Sequence, residues 1–334
     1  MLVHKFINEG RIKEVFIERC ILASLDHPSI IKFYQSFKNQ NKLYLLVEFC
    51  PRGSLLEFLK RQGSLNNILA KHMTAEIVVA LEYLRSMQVI HRDLKPGNIV
   101  LDSHLHIKLI DFATCKVLNK DIMAKIAAFR SRNDLLRSMG FNDDSDINMS
   151  ALGSTRMNSL VGTEEYLAPE TLSDMGELSY TCDYWSLGVI LYQLLCGSTP
   201  FKGRSDLETY HNIQKCQEIT FKKPNIDEKA KDLIRQLLIK EPTLRLGFGS
   251  IDEIKGHPYF EGVDWPNVRS SRVPYNPPRP ARLKANVSNS FSNINPDSPL
   301  VPVSPQASPL SSPLGTKTQA ACFGSASKLD DTYF

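Results

Sequence analysis

The chain has 334 residues, 42% of them apolar, and a formal net charge of +4. That length and apolar content suit one large domain or two small ones around a packed core and exclude a fibrous or wholly disordered chain. The small charge, with no long basic block and no paired Cys/His metal spacing, argues against nucleic acid as a partner.

Residues 14–25 place Phe16, Ile17, Cys20, Ile21, Leu22 and Leu25 at helical spacing and stop before Asp26-His27-Pro28, which predicts one amphipathic helix. Two strand-like runs follow, 30–37 and 42–49, joined by the polar turn Lys38-Asn39-Gln40-Asn41. From Ser54 the pattern turns mostly helical, with a long helix over 65–87 and a strongly apolar one over 182–196. Between them, 98–101 and 106–110 form a short hairpin about Asp102-Ser103-His104. Residues 120–158 open with Met123, Ile126, Ala127 and Phe129 at roughly helical period, then become rich in Asp, Asn and Ser, the pattern of a long loop insert. Beyond about residue 269 Pro, Ser, Asn and Arg dominate, and 285–334 is expected to be disordered.

The longest apolar stretch, 187–196, is interrupted by Gly188 and Gln193 and too short to span a bilayer, and residues 1–5 do not form a signal peptide. Seven cysteines stand singly at Cys20, Cys50, Cys115, Cys182, Cys196, Cys216 and Cys322. An odd number without ligand spacing suits a reducing compartment and small buried hydrophobes. The expected location is cytoplasmic or nuclear, with no integral membrane segment.

The string His91-Arg92-Asp93-Leu94-Lys95-Pro96-Gly97-Asn98, then a hairpin and Ile110-Asp111-Phe112, resembles the catalytic loop and metal-binding segment of protein kinases. The chemistry explains these residue types. A phosphoryl group in flight spreads charge over its oxygens, so metal ions (Asn98, Asp111), a carboxylate to orient the attacking hydroxyl (Asp93) and a cation for the γ-phosphate (Lys95) are needed. Residues 162–170 resemble the end of the kinase activation segment, Asp183-Tyr184-Trp185-Ser186-Leu187-Gly188 the buried central helix, and Arg245 the ion-pair partner of Glu170. Lys95 with Thr163 matches serine/threonine kinases better than tyrosine kinases.

The resemblance spans residues 3–265 and implies an α+β, two-lobe fold. A partial β-rich small lobe would occupy 1–50 and a mainly helical large lobe 51–265, with an activation-segment insert over 119–158 and a disordered Pro/Ser-rich tail over 266–334. It implies ATP and Mg2+ as cofactors. Lys5 aligns with the ATP-anchoring lysine and Glu18 with its partner. Val47 stands at the gatekeeper position, Glu48, Phe49 and Cys50 form the hinge beside adenine, and Val100 joins the nucleotide site.

The strings Leu25-Asp26-His27-Pro28, Thr74-Ala75-Glu76-Ile77, Ala113-Thr114-Cys115-Lys116 and Asn158-Ser159-Leu160-Val161-Gly162-Thr163, with His257-Pro258-Tyr259-Phe260, narrow the resemblance to the AGC group and its phosphoinositide-dependent family. What this implies is a kinase acting on protein substrates, the activation loops of other AGC kinases among them. It also implies phosphorylation at Ser159, with Arg92 and Lys116 pairing the phosphate, and a role for Arg19 in a pocket that grips a phosphorylated substrate tail.

Several departures stand against the pattern. The strands and Gly-rich loop expected ahead of Lys5 are absent, Ala113 replaces a glycine, Ser54 replaces an acidic residue, and no phosphoinositide-binding domain follows. A second reading is therefore a catalytically impaired, pseudokinase-like docking module or a fragment. The tail carries Ser-Pro at Ser298, Ser304, Ser308 and Ser312, sites suited to proline-directed kinases.

Overall fold

The computed structural model describes residues 2–6, 12–39, 42–132, 164–172 and 179–275. Three antiparallel strands, β1 (Leu2–Phe6), β2 (Phe33–Asn39) and β3 (Lys42–Val47), form a sheet of order β1-β3-β2. Helix α1 (Ile12–Leu22) connects β1 to the β2–β3 hairpin. It begins two residues earlier than its apolar spacing predicts and ends three earlier. The reason lies in an Ala23-Ser24 turn, where Ser24 Oγ donates to Cys20 O at 2.9 Å. Leu25 is still buried, but beyond the helix.

The first strand-like run also starts later than its composition predicts. Ile30 forms a bridge to Leu109, and Ile31 N–H donates to Leu109 O at 3.0 Å. These two β-branched residues thus join the first layer to a hairpin more than seventy positions on, and the strand proper begins at Phe33 after the chain has turned.

The second layer is mainly helical. Helix α2 (Leu55–Gln62) starts at Ser54, which forms a capping box with Glu57, and α3 (Asn67–Ser86) is capped by Asn66. Strands β5 (Ile99–Leu101) and β6 (Ile107–Leu109) make the expected hairpin, and β4 (Val89–Ile90) pairs with β7 (Lys116–Val117). Helix α4 (Lys120–Arg132) fits the helical start of the insert and packs on α1 through buried Ile122 and Ile126. The rest of the insert, 133–158, and residues 159–163 lie outside the described residues, as does the tail from 276, whereas 266–275, expected as disordered tail, pack on the domain with Val268 and Val273 buried.

Helix α5 (Thr181–Cys196) is buried on almost every side, which is why its sequence is apolar all round. Gly188 lets α7 (Glu228–Leu237) approach, because a Cβ there would sit 2.9 Å from Leu237 Cβ. Helices α6 (Asp206–Lys215) and α8 (Ile251–Lys255) complete the layer. Cys20, Cys115, Cys182 and Cys196 are buried free thiols, as single spacing predicts, whereas Cys50 and Cys216 are only half-buried and Cys322 lies outside the described residues. No helix among the described residues is long and apolar enough to cross a membrane.

Candidate functional site

The site grows from the short segment between β4 and β5. After Ile90 the chain must leave the sheet, and Arg92 takes a left-handed backbone at φ 67°. Asp111, just past β6, does the same at φ 65°. Such non-glycine positions cost about 1–3 kcal/mol each and persist only where neighbours fix them. Around Arg92 the fixing group is Asp183 on α5, whose buried carboxylate accepts from His91 N–H and Arg92 N–H, both at 2.8 Å. His91 is fully buried. Its Nδ1 accepts from Asp93 N–H at 3.3 Å, so Nε2 carries the proton and donates to Ile110 O at 3.1 Å. One imidazole therefore ties the loop bearing Asp93 to the residue preceding Asp111, and it packs on Phe112 with ring centroids 5.2 Å apart.

Asp93 Oδ2 receives Lys95 Nζ at 2.8 Å and Asn98 Nδ2 at 2.9 Å, and Asn98 Nδ2 also reaches Asp93 O at 2.9 Å. Pro96–Asn98 forms a 3-10 turn that brings Asn98 back toward Asp93. The amide hydrogens of Asn98 are thus committed to Asp93. Its Oδ1 and the half-buried Asp111 carboxylate enter no hydrogen bond among the described residues. Two hard oxygen donors on rigid backbone fit a magnesium ion, which takes one or two protein oxygens and completes its shell with water and phosphate.

Ala113 resolves one sequence concern. It is not among the residues with positive φ, so its Cβ does not strain the backbone. Val47 is buried, and Glu48 N–H donates to Lys32 O at 2.8 Å. The Glu48 carboxylate is drawn to Lys108 at 2.9 Å. Glu48 C=O and Cys50 N–H make no hydrogen bond among the described residues. Burial, and after it the Glu48 charge, pushes the Cys50 thiol up to about 11, which keeps it protonated and unreactive. Val100 is half-buried on β5 and bridged to Ser54. Ser54 itself spends its hydroxyl on the α2 cap.

Other expected residues fall in separate places. Lys5 lies in β1 opposite Leu43, but its side chain is outside the described set. Glu18 is buried on α1. Arg19 Nε donates to Ser36 Oγ of β2 at 2.8 Å. Arg92 is buried and Lys116 half-buried on β7, whereas Ser159 lies outside the described residues. Below the site, Arg245 holds Glu170 with two contacts, Nη1–Oε1 at 2.6 Å and Nη2–Oε2 at 2.9 Å. Its remaining N–H groups go to the carbonyls of Ile239, Thr181 and Lys240.

Motif and spacing assign no anchoring role to Asp183 or His91. Their partners lie about ninety residues apart, and no local spacing reports such a contact.

Residues 1–260 match the family model of the protein kinase domain. Among curated proteins, the chain is 38% identical over 287 residues to 3-phosphoinositide-dependent protein kinase 1 of Arabidopsis thaliana, covering 84% of this chain and 53% of that protein. It is 37% identical over 273 residues to serine/threonine-protein kinase gad8 of Schizosaccharomyces pombe, covering 81% and 42%. To human 3-phosphoinositide-dependent protein kinase 1 it is 34% identical over 272 residues, covering 80% and 43%. The chain spans about half the length of these relatives.

Proposed function

The chain belongs to the protein kinase domain family and has its α+β, two-lobed fold, and on that premise we propose that it transfers the γ-phosphoryl group of ATP to serine or threonine hydroxyls of other proteins. The observation that carries this reading is the Asp93 carboxylate held at once by Lys95 and Asn98.

Asp93 orients the incoming hydroxyl and accepts its proton at Oδ2 or Oδ1 as the oxygen attacks phosphorus. The Lys95 ammonium, 2.8 Å from that carboxylate, is partly exposed, as is Asp93, and would reach a γ-phosphate from there. Asn98 Oδ1 and the Asp111 carboxylate would hold magnesium, which when bound neutralises phosphate charge. Glu48 C=O and Cys50 N–H would read the adenine edge, with Val47 and Val100 as its apolar walls and Lys5 with Glu18 anchoring the phosphates. The bond between the β–γ bridging oxygen and phosphorus breaks, the bond from the substrate oxygen to phosphorus forms, and ADP leaves.

For substrates, the activation loops of AGC kinases are the class favoured by likeness to relatives of that group. Arg19, anchored to β2 through Ser36, would contribute to docking a phosphorylated tail. A phosphate on Ser159, paired by Arg92 and Lys116, would order the activation segment, and finding Ser159 unmodified in fully active enzyme would remove that step.

The test is transfer of labelled phosphate from Mg-ATP by the purified 334-residue chain to a peptide copied from an AGC activation loop, beside Asp93→Asn. Label that requires Asp93 supports the reading. Equal label in both, or none in either, overturns it.

A further inference from the structure

At the turn end of the β5–β6 hairpin, opposite the end that carries Asn98 and Asp111, a second group of side chains meets that phosphoryl transfer does not use. His72 and Glu76 stand one helical turn apart on α3, and His106 immediately precedes β6. Glu76 is fully buried. Its Oε1 meets both imidazoles, His72 Nε2 at 3.1 Å and His106 Nδ1 at very short range. The three atoms lie within 4.8 Å of one another.

The other carboxylate oxygen is held separately. Ile107 N–H donates to Glu76 Oε2 at 2.8 Å and Arg269 Nη1 approaches it at 3.3 Å. Asp102 fixes the turn by accepting from His104 N–H at 2.8 Å and His106 N–H at 3.0 Å. Two imidazoles are thus aimed at one oxygen whose own orientation is set by an independent shell.

We propose that His72 Nε2, His106 Nδ1 and Glu76 Oε1 form a binding site for one borderline divalent transition-metal ion of the zinc(II) class. Two imidazole nitrogens with one carboxylate oxygen suit zinc, whereas magnesium and calcium favour all-oxygen sets. Three protein ligands leave a fourth position for water, and the side chains of His72 and His106, 11% and 12% exposed, give an entry path from solvent. The bonds from Ile107 and Arg269 to the far oxygen are the outer partners that orient a ligating carboxylate. For each ring to ligate as a neutral imidazole, the hydrogen facing Oε1 leaves to solvent as a proton while the far ring nitrogen carries the remaining one, taken up from water where it is not already there. Arg269, on the opposite oxygen, opposes the cation and moderates its affinity. The bound ion pins α3 to the hairpin, whose two ends are about 10 Å apart at three residues per strand, and so braces the segment bearing Asn98 and Asp111.

The experiment titrates zinc(II) into the chelator-stripped full chain against a chromophoric competitor, follows the melting midpoint, and records the cobalt(II) absorption spectrum. One equivalent is expected to bind, with the midpoint rising by a few degrees. His72→Gln, at a partly exposed position, should keep the circular dichroism of the parent. It should weaken binding by more than about a hundredfold, beyond the range for loss of an outer partner. His106→Gln should do the same. Cobalt should give a nitrogen and oxygen spectrum without thiolate charge transfer. Absence of stoichiometric binding, unchanged affinity in both variants, or a thiolate band would overturn the site. The cluster would then be a hydrogen-bonded ion-pair group only.

Discussion

Glu170 with Arg245 and Asp93 with Lys95 are both acid–base contacts, at 2.6 and 2.8 Å, yet they stand in different surroundings. The Arg245 side chain is 0% exposed and that of Glu170 8%, and the guanidinium's other N–H groups are bonded to backbone carbonyls. Lys95 is 23% exposed and Asp93 12%. Losing one side of the first pair strands a charge without water, whereas either member of the second can trade its partner for solvent or substrate. Burial, not distance, separates a contact that holds the fold from one that can take part in chemistry.

The largest expected effect is on rate. Asp93→Asn should lower phosphoryl transfer about 10²–10⁴-fold while leaving the melting midpoint near the parent's. A midpoint loss as large as that of an Arg245 variant would erase the distinction. Arg245→Met should cost about 3–5 kcal/mol in urea unfolding, and adding Glu170→Leu should recover part of it, because a paired apolar replacement leaves no buried charge. A single variant within about 1 kcal/mol of the parent would show that the pair is not structural.

Glu76 sharpens the comparison, because it is more deeply buried than Glu170 and is met by two imidazoles as well as a guanidinium. Burial raises its pKa, but hydrogen bonds from His106 and His72, then Ile107 N–H and the Arg269 charge, outweigh this and bring it from 4.5 to about 2. A depressed carboxylate stabilises the fold fully above the unfolded value, so the contribution should be intact above about pH 4.5 and lost as pH falls toward 2. The total is about 3 kcal/mol. Unfolding free energies measured down this range should fall less steeply in Glu76→Gln, and an unchanged slope would refute the assignment. Ala113→Gly, beside the site but at an ordinary φ, should be the smallest change. It should destabilise by about 0.4–1 kcal/mol without raising activity, and a large activity gain would mean that the alanine does restrain the segment.

Much of the candidate site could be read from the sequence because it is local. Asp93, Lys95 and Asn98 lie within six consecutive positions, and a turn and hairpin bring them toward Asp111, although the backbone that leads into Asp93 is held by distant Asp183. The boundaries of α1 and β2 were less legible, since Leu25 is buried outside its helix and Ile30 bridges Leu109 rather than pairing within its own sheet. Apolar spacing reports that a residue is buried, not by which element.

The sequence by itself determined the candidate-site string 91–98, the buried helix α5 and the hairpin order. Each depends on neighbours within a turn or two, where backbone geometry and side-chain period act directly. Tertiary structure alone decided that Asp183 fixes the His91-Arg92 backbone, that His106 reaches Glu76 across 30 positions, and that Arg269 joins them from 193 positions away. Such contacts exist only after separate elements pack, because burial then forces each polar group to find a partner wherever in the chain one lies.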